Sequence, residues 1–158
     1  MSIFNPYGNR TLLSIYRERF MIFRIYILLI GVLSFVNCAF IILNINVCIF
    51  YSAYVPPLLT RLGTALLQNN RNFFGMILCM GSIVTVLFYV MAYILSAKKY
   101  CYAVGAVILF AIDSAVMLID IENAGLWYIM GHILICVLLT WGIITTKRLA
   151  DEERRDEK

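Results

Sequence analysis

Five side chains in this sequence have acid–base or ligand chemistry and sit in long apolar stretches: Asp113, His132, Asp120, Asn37 and Cys136. Asp113 carries the most weight. An ionised carboxylate at mid-bilayer costs roughly 2.5–3.5 kcal/mol on insertion scales. It must therefore face other helices, a partner or water. Either it exchanges a proton or binds a cation, or it makes a helix–helix hydrogen bond, for which Asn37 is the candidate partner. His132 is the single histidine of the chain. One imidazole does not build a metal site, but Asp113, His132 and Asp120 together could hold a cation weakly or relay a proton outward. The plain alternative is a packing histidine. Tyr128, His132, Cys136 and Thr140 follow at i, i+4 and share one helix face, which is expected to point inward. Other chemistries are missing from the sequence. There is no GxSxG, HExxH or phosphate loop, and no Ser/His/Asp set. No cofactor or metal is expected. Cys38, Cys48, Cys79, Cys101 and Cys136 form no CxxC pair, so they read as packing residues, with Cys48 the one placed to meet an oxidant.

The elements that position these groups follow from composition. The chain is 63% apolar and 14% charged, against roughly 25% charged residues in a soluble domain. Its 158 residues make one domain, and a soluble fold of that size could not hide so much apolar surface. The reading is an all-α integral membrane protein: a four-transmembrane-helix bundle with a short interfacial helix between spans one and two. The spans are expected at about 21–45, 73–96, 102–120 and 126–144, since crossing takes roughly 20 residues. Residues 1–20 form a cytoplasmic segment with an interfacial helix, and Arg24, early in the first span, is expected to snorkel back to the headgroups. Residues 46–72 are the longest non-spanning stretch. Pro56-Pro57 opens a helix there, too short to span and therefore interfacial or re-entrant; it is expected to lie on the outer surface with Leu58, Leu62 and Leu66 turned to lipid or to the bundle mouth. Glu122-Asn123-Ala124-Gly125 makes a tight turn between spans three and four. Residues 145–158 are a charged tail. At about 1.5 Å per residue, Asn37, Asp113 and Cys136 fall near the midplane, His132 one turn outward, and Asp120 near the surface.

Two further patterns concern assembly. Gly75, Cys79, Ser82, Val86, Tyr89 and Tyr93 recur every three or four residues, and Gly31, Ser34, Asn37, Ile41 and Asn44 do so less regularly. Small and polar residues at that spacing let membrane helices approach. Lys and Arg fall unevenly: Arg10, Arg17, Arg19, Arg24, Lys98, Lys99, Lys147, Arg148, Arg154, Arg155 and Lys158 lie on one side, Arg61 and Arg71 on the other. The positive-inside rule then puts both termini in the cytoplasm. The net charge of +4 flanks membrane segments and is no nucleic-acid footprint.

Phe50-Tyr51-Ser52-Ala53-Tyr54-Val55-Pro56, Phe110-Ala111-Ile112-Asp113-Ser114 and Gly131-His132-Ile133 resemble stretches of an uncharacterised family of small four-span membrane proteins from Gram-positive anaerobic bacteria. The resemblance implies the same span layout and draws attention to Asp113 and His132; it implies no activity. The function expected is a non-enzymatic accessory or interaction subunit of a bacterial cell membrane. Its partners would be the lipid bilayer and a second copy or another membrane protein. The alternatives are a small oligomeric proton- or cation-coupled transporter using Asp113, and a membrane-embedded enzyme using His132 and Asp120.

Overall fold

The computed structural model describes residues 12–45, 47–120 and 125–156. Five helices follow in order: α1 (Leu12–Ile42), α2 (Val55–Gln68), α3 (Asn72–Ser96), α4 (Cys101–Ile119) and α5 (Leu126–Asp156). Four of them, all but α2, are long and apolar enough to cross a membrane. The all-α four-span bundle read from the sequence is the architecture. The end that carries residues 43–71 is called the loop side, and the opposite end the tail side.

The helix bounds depart from the expected spans. Of the expected N-terminal segment, residues 1–11 lie outside the described residues; residues 12–20 and the first span are one helix of 31 residues, about 46 Å long at 1.5 Å per residue. The bilayer core is about 30 Å thick, so the excess extends past it at the N-terminal end. This helix stops at Ile42, short of the expected Ile45. There Asn44 takes a left-handed conformation (φ 54°) and the Ile45 N–H returns to the Phe40 carbonyl at 2.8 Å, which closes the last turn. The tail is likewise no separate unit, since α5 runs through to Asp156. Of the turn expected at 122–125, only Gly125 lies within the described residues; its φ of 74° is the left-handed conformation glycine tolerates.

Of the two readings of α2, the re-entrant one holds and the outer-surface placement is corrected. The helix re-enters the bundle and runs antiparallel along the first half of α3. Two glycines allow this. A Cβ on Gly63 would meet the Gly75 carbonyl at 2.9 Å and Cys79 Sγ at 2.6 Å, and a Cβ on Gly75 would meet the Gly63 carbonyl at 2.8 Å. Deeper in, the Thr60 hydroxyl donates to Ser82 Oγ at 2.8 Å. Ser82 is ten residues into α3, about 15 Å along it. Pro56, Pro57, Thr60 and Gly63 are the buried face of α2. Leu62 is exposed, while Leu58 and Leu66 are only half-buried.

The bundle is polar and apolar by halves. Toward the tail side, Phe20, Phe23, Ile27, Tyr89, Ala103, Ala106, Phe110 and Leu139 form a continuous core. Gly142 lets the Phe23 ring lie against the α5 backbone. Arg24 does not snorkel to the headgroups. Its guanidinium donates to Ser96 Oγ and to the Tyr93 carbonyl, each at 2.9 Å, and lies over the Tyr93 ring. It thus caps the carbonyl end of α3, where a cation is favoured. The outward faces of all four spans are apolar, as Met76, Met80, Val84, Leu87 and Met91 are on α3. Such faces suit lipid.

Candidate functional site

Why α2 can begin inside the bundle is a question of backbone donors. The first turn of any helix leaves N–H groups without intrahelical partners, and in hydrocarbon each would cost several kcal/mol. The sequence removes two of them, because Pro56 and Pro57 have no N–H. Asp113 of α4 takes the other two: the Tyr54 N–H donates to Oδ2 and the Val55 N–H to Oδ1, both at 2.7 Å. The carboxylate is thus a tertiary N-cap. It also sits at the positive end of the α2 dipole, which favours a negative charge. Asp113 lies six residues from the end of α4, about 9 Å below it, and is 2% exposed.

His132 of α5 completes the carboxylate's surroundings. Its Nε2 stands 3.1 Å from Asp113 Oδ2 and its Nδ1 3.1 Å from the Tyr128 carbonyl. A carbonyl only accepts, so Nδ1 carries a proton in this hydrogen bond. One further proton then lies between Nε2 and Oδ2. With it on nitrogen the pair is imidazolium and carboxylate; with it on oxygen both groups are neutral. In either form the pair has no net charge, which lowers its cost in a low-dielectric interior. The imidazole stacks on Phe110, with ring centroids 5.1 Å apart and planes within 18°.

The irregular segment that leads into α2 is held in the same manner. Asn37 Oδ1 accepts from the Ile49 N–H at 2.8 Å, and its Nδ2 donates to the Ile49 carbonyl (2.8 Å), Ser52 Oγ (2.6 Å) and the Tyr128 hydroxyl (3.2 Å). Ser34 Oγ accepts from the Ala53 N–H at 2.9 Å. Non-helical backbone survives at membrane depth only where protein satisfies it, and here Ser34, Asn37 and Asp113 do so. Gly131 lets the Phe50 carbonyl lie against α5.

The structure therefore brings Asp113 and His132 together and separates them from the other sequence candidates. Asn37 is not the partner of Asp113; it grips residues 49–52. Asp120 does not join the pair, since its Oδ2 accepts from the Tyr54 hydroxyl at 2.5 Å. The imagined cation or relay set of Asp113, His132 and Asp120 does not converge. Neither do His132 and Asp120 as a catalytic pair. Cys136 Sγ lies 3.8 Å from Ser114 Oγ, a loose contact between α4 and α5. Of the i, i+4 stripe on α5, His132 is buried, but Thr140 is exposed and returns its hydroxyl to the Cys136 carbonyl. Among the described residues no group of three His, Cys, Asp or Glu side chains is placed to hold a metal. Tyr54 and Ser34 stand in the sequence only within a longer stretch and a spacing pattern, and their roles were not read from it; for Tyr54 the signal was the proline pair that follows it, which leaves its N–H and that of Val55 to be capped. Compared with family models, curated proteins and solved structures, the chain finds no match in any of the three.

Proposed function

We propose that this chain is a non-catalytic accessory or interaction subunit of a bacterial cytoplasmic membrane, with the loop side facing outward and both termini in the cytoplasm. The observation that carries the reading is the occupancy of Asp113. Its two oxygens accept two backbone N–H groups and face His132, so the one acid deep in the bundle is engaged in holding α2. A coupling acid must instead exchange with water on alternate sides. The tail-side half of the bundle is filled by Phe20, Phe23, Phe110 and Leu139, which favours a rigid platform over a pathway. The basic tail side supports the orientation. The resemblance to the four-span family of Gram-positive anaerobes fits the same layout and stands as part of this proposal.

A second reading, the proton- or cation-coupled transporter, draws on one feature: the single proton held between Nε2 of His132 and Oδ2 of Asp113. Proteoliposomes with an imposed pH gradient and Na⁺ or K⁺ on one side separate the two. Wild type and Asp113→Asn are expected to leak protons and cations equally, at the rate of empty liposomes. A flux present in wild type and lost in Asp113→Asn would replace the accessory reading with the transporter.

A further inference from the structure

On the loop side, between α1, the start of α2 and α5, lies a cavity of about 500 Å³. Small-molecule sites typically span about 300–1,000 Å³. Its polar lining is one-sided in charge. Arg61 contributes a guanidinium, and among the described residues none that lines it is acidic. Among the described residues no hydrogen bond or ion pair of that guanidinium is formed. Arg61 also borders a neighbouring cleft that it shares with Asp120, but there the carboxylate is already engaged by the Tyr54 hydroxyl. Arg61 is thus a cation the fold itself does not use, placed over a cavity without an acid.

The floor of the cavity supplies a second polar group. The Tyr128 hydroxyl lies 3.2 Å from Asn37 Nδ2 and 3.0 Å from Cys48 Sγ, and Tyr128 lines the cavity. Ile41, Ile45 and Pro57 make the remaining wall apolar. A planar guanidinium and a phenol hydroxyl lining one space suit an oxyanion, since Arg pairs with carboxylate and phosphate in a forked geometry. The apolar wall suits a short hydrocarbon attached to it.

We propose that this cavity binds an anionic amphiphile, with a carboxylate or phosphate ester on Arg61 and Tyr128 and its apolar part against Ile41, Ile45 and Pro57. The site does not rest on the accessory reading, and an Asp113-dependent flux would leave it standing. The ligand is either a lipid headgroup or a water-soluble amphiphile.

The test uses the full chain in phosphatidylcholine nanodiscs, with protein-free nanodiscs as the control for partitioning. Octanoate and monooctyl phosphate are titrated against octanol by calorimetry. Both anions are expected to bind at least tenfold more tightly than octanol. Arg61→Gln is expected to weaken them at least tenfold, and Tyr128→Phe about threefold. Arg71→Gln, which alters a cation on the same side but outside the cavity, is expected to change nothing. Octanol binding as tightly as octanoate, an unaltered Arg61→Gln, or an equal loss in Arg71→Gln would each overturn the proposal. Arg61 is exposed and unbonded, so its replacement leaves the fold in place. Replacing phosphatidylcholine with phosphatidylglycerol at high salt, which screens the surface charge that would otherwise repel octanoate, then distinguishes the sources. A raised apparent Kd for octanoate assigns the site to the lipid headgroup, and an unchanged one to the soluble amphiphile.

Discussion

At the scale of single residues, the contact that decides the architecture is a side chain answering a backbone. Asp113 is replaceable by Asn only in outline. The amide has one acceptor oxygen where the carboxylate has two, and its NH₂ would face an N–H of Tyr54 or Val55. One backbone donor would then lack a partner in a dry interior, at about 1–3 kcal/mol. Asp113→Asn is therefore expected to lower the free energy of unfolding by about that amount, even if Asp113 does nothing but hold α2. Denaturant unfolding in detergent reads it, and a neutral or stabilising effect would mean the two 2.7 Å bonds do not form. Ser34→Ala removes a neutral acceptor from the Ala53 N–H and should cost less, about 1 kcal/mol, because hydrogen bonds to charged groups are the stronger ones. The order of the two variants tests the argument independently of their size. Depth and burial of Asp113 were legible from the sequence by counting along the spans. Its partners were not. A backbone N–H belongs to every residue but proline, so no pattern of side chains announces which ones will meet a carboxylate from another helix.

At the scale of elements, the four spans follow from apolar length, and the packing face of α3 follows from spacing. Gly75, Ser82, Val86 and Tyr89 are buried, four of the positions that recur along it. Helix α2 was only half legible. Its start at Pro56-Pro57 and its amphipathic pattern are visible in the sequence. Its direction into the bundle is not, because an amphipathic segment of 14 residues has the same pattern whether its apolar face meets lipid or a neighbouring helix. Gly63 settles the matter in space, since it faces Gly75 at backbone contact. A larger side chain there must push the helices apart, and overpacking typically costs about 1–3 kcal/mol. Gly63→Val is expected to loosen α2 while the four spans stay inserted. Trypsin cleavage after Arg61, measured against time in detergent, should be several-fold faster than in wild type. Equal rates would show that α2 is not docked on α3 in solution.

At the scale of the whole molecule, the two ends differ in charge and chemistry, and orientation decides what each end meets. The loop side carries the polar segment that re-enters the bundle, and the tail side carries Arg24 docked on α3, Lys98 and Lys99, and the extension of α5. Lys and Arg near span ends are retained on the cytoplasmic side, so the loop side is expected to face outward. The protein has its own reporters for this. Cys48 and Cys101 are both exposed thiols; Cys48 sits in the loop-side segment and Cys101 at the tail-side start of α4. Variants that keep one of them and replace the other four cysteines can be probed in intact cells with a membrane-impermeant maleimide. Cys48 is expected to react at once, and Cys101 only after the cells are permeabilised. Its reaction is slowed somewhat by the contact with Tyr128, at 3.0 Å, so the denatured protein supplies the reference for complete labelling. The reverse pattern would turn the molecule over. Arg61 and its cavity would then open to the cytoplasm, and the positive-inside argument would fail for this chain. Labelling of both thiols in intact cells would mean dual insertion, with copies in each orientation. The bundle would then have to function as an antiparallel pair.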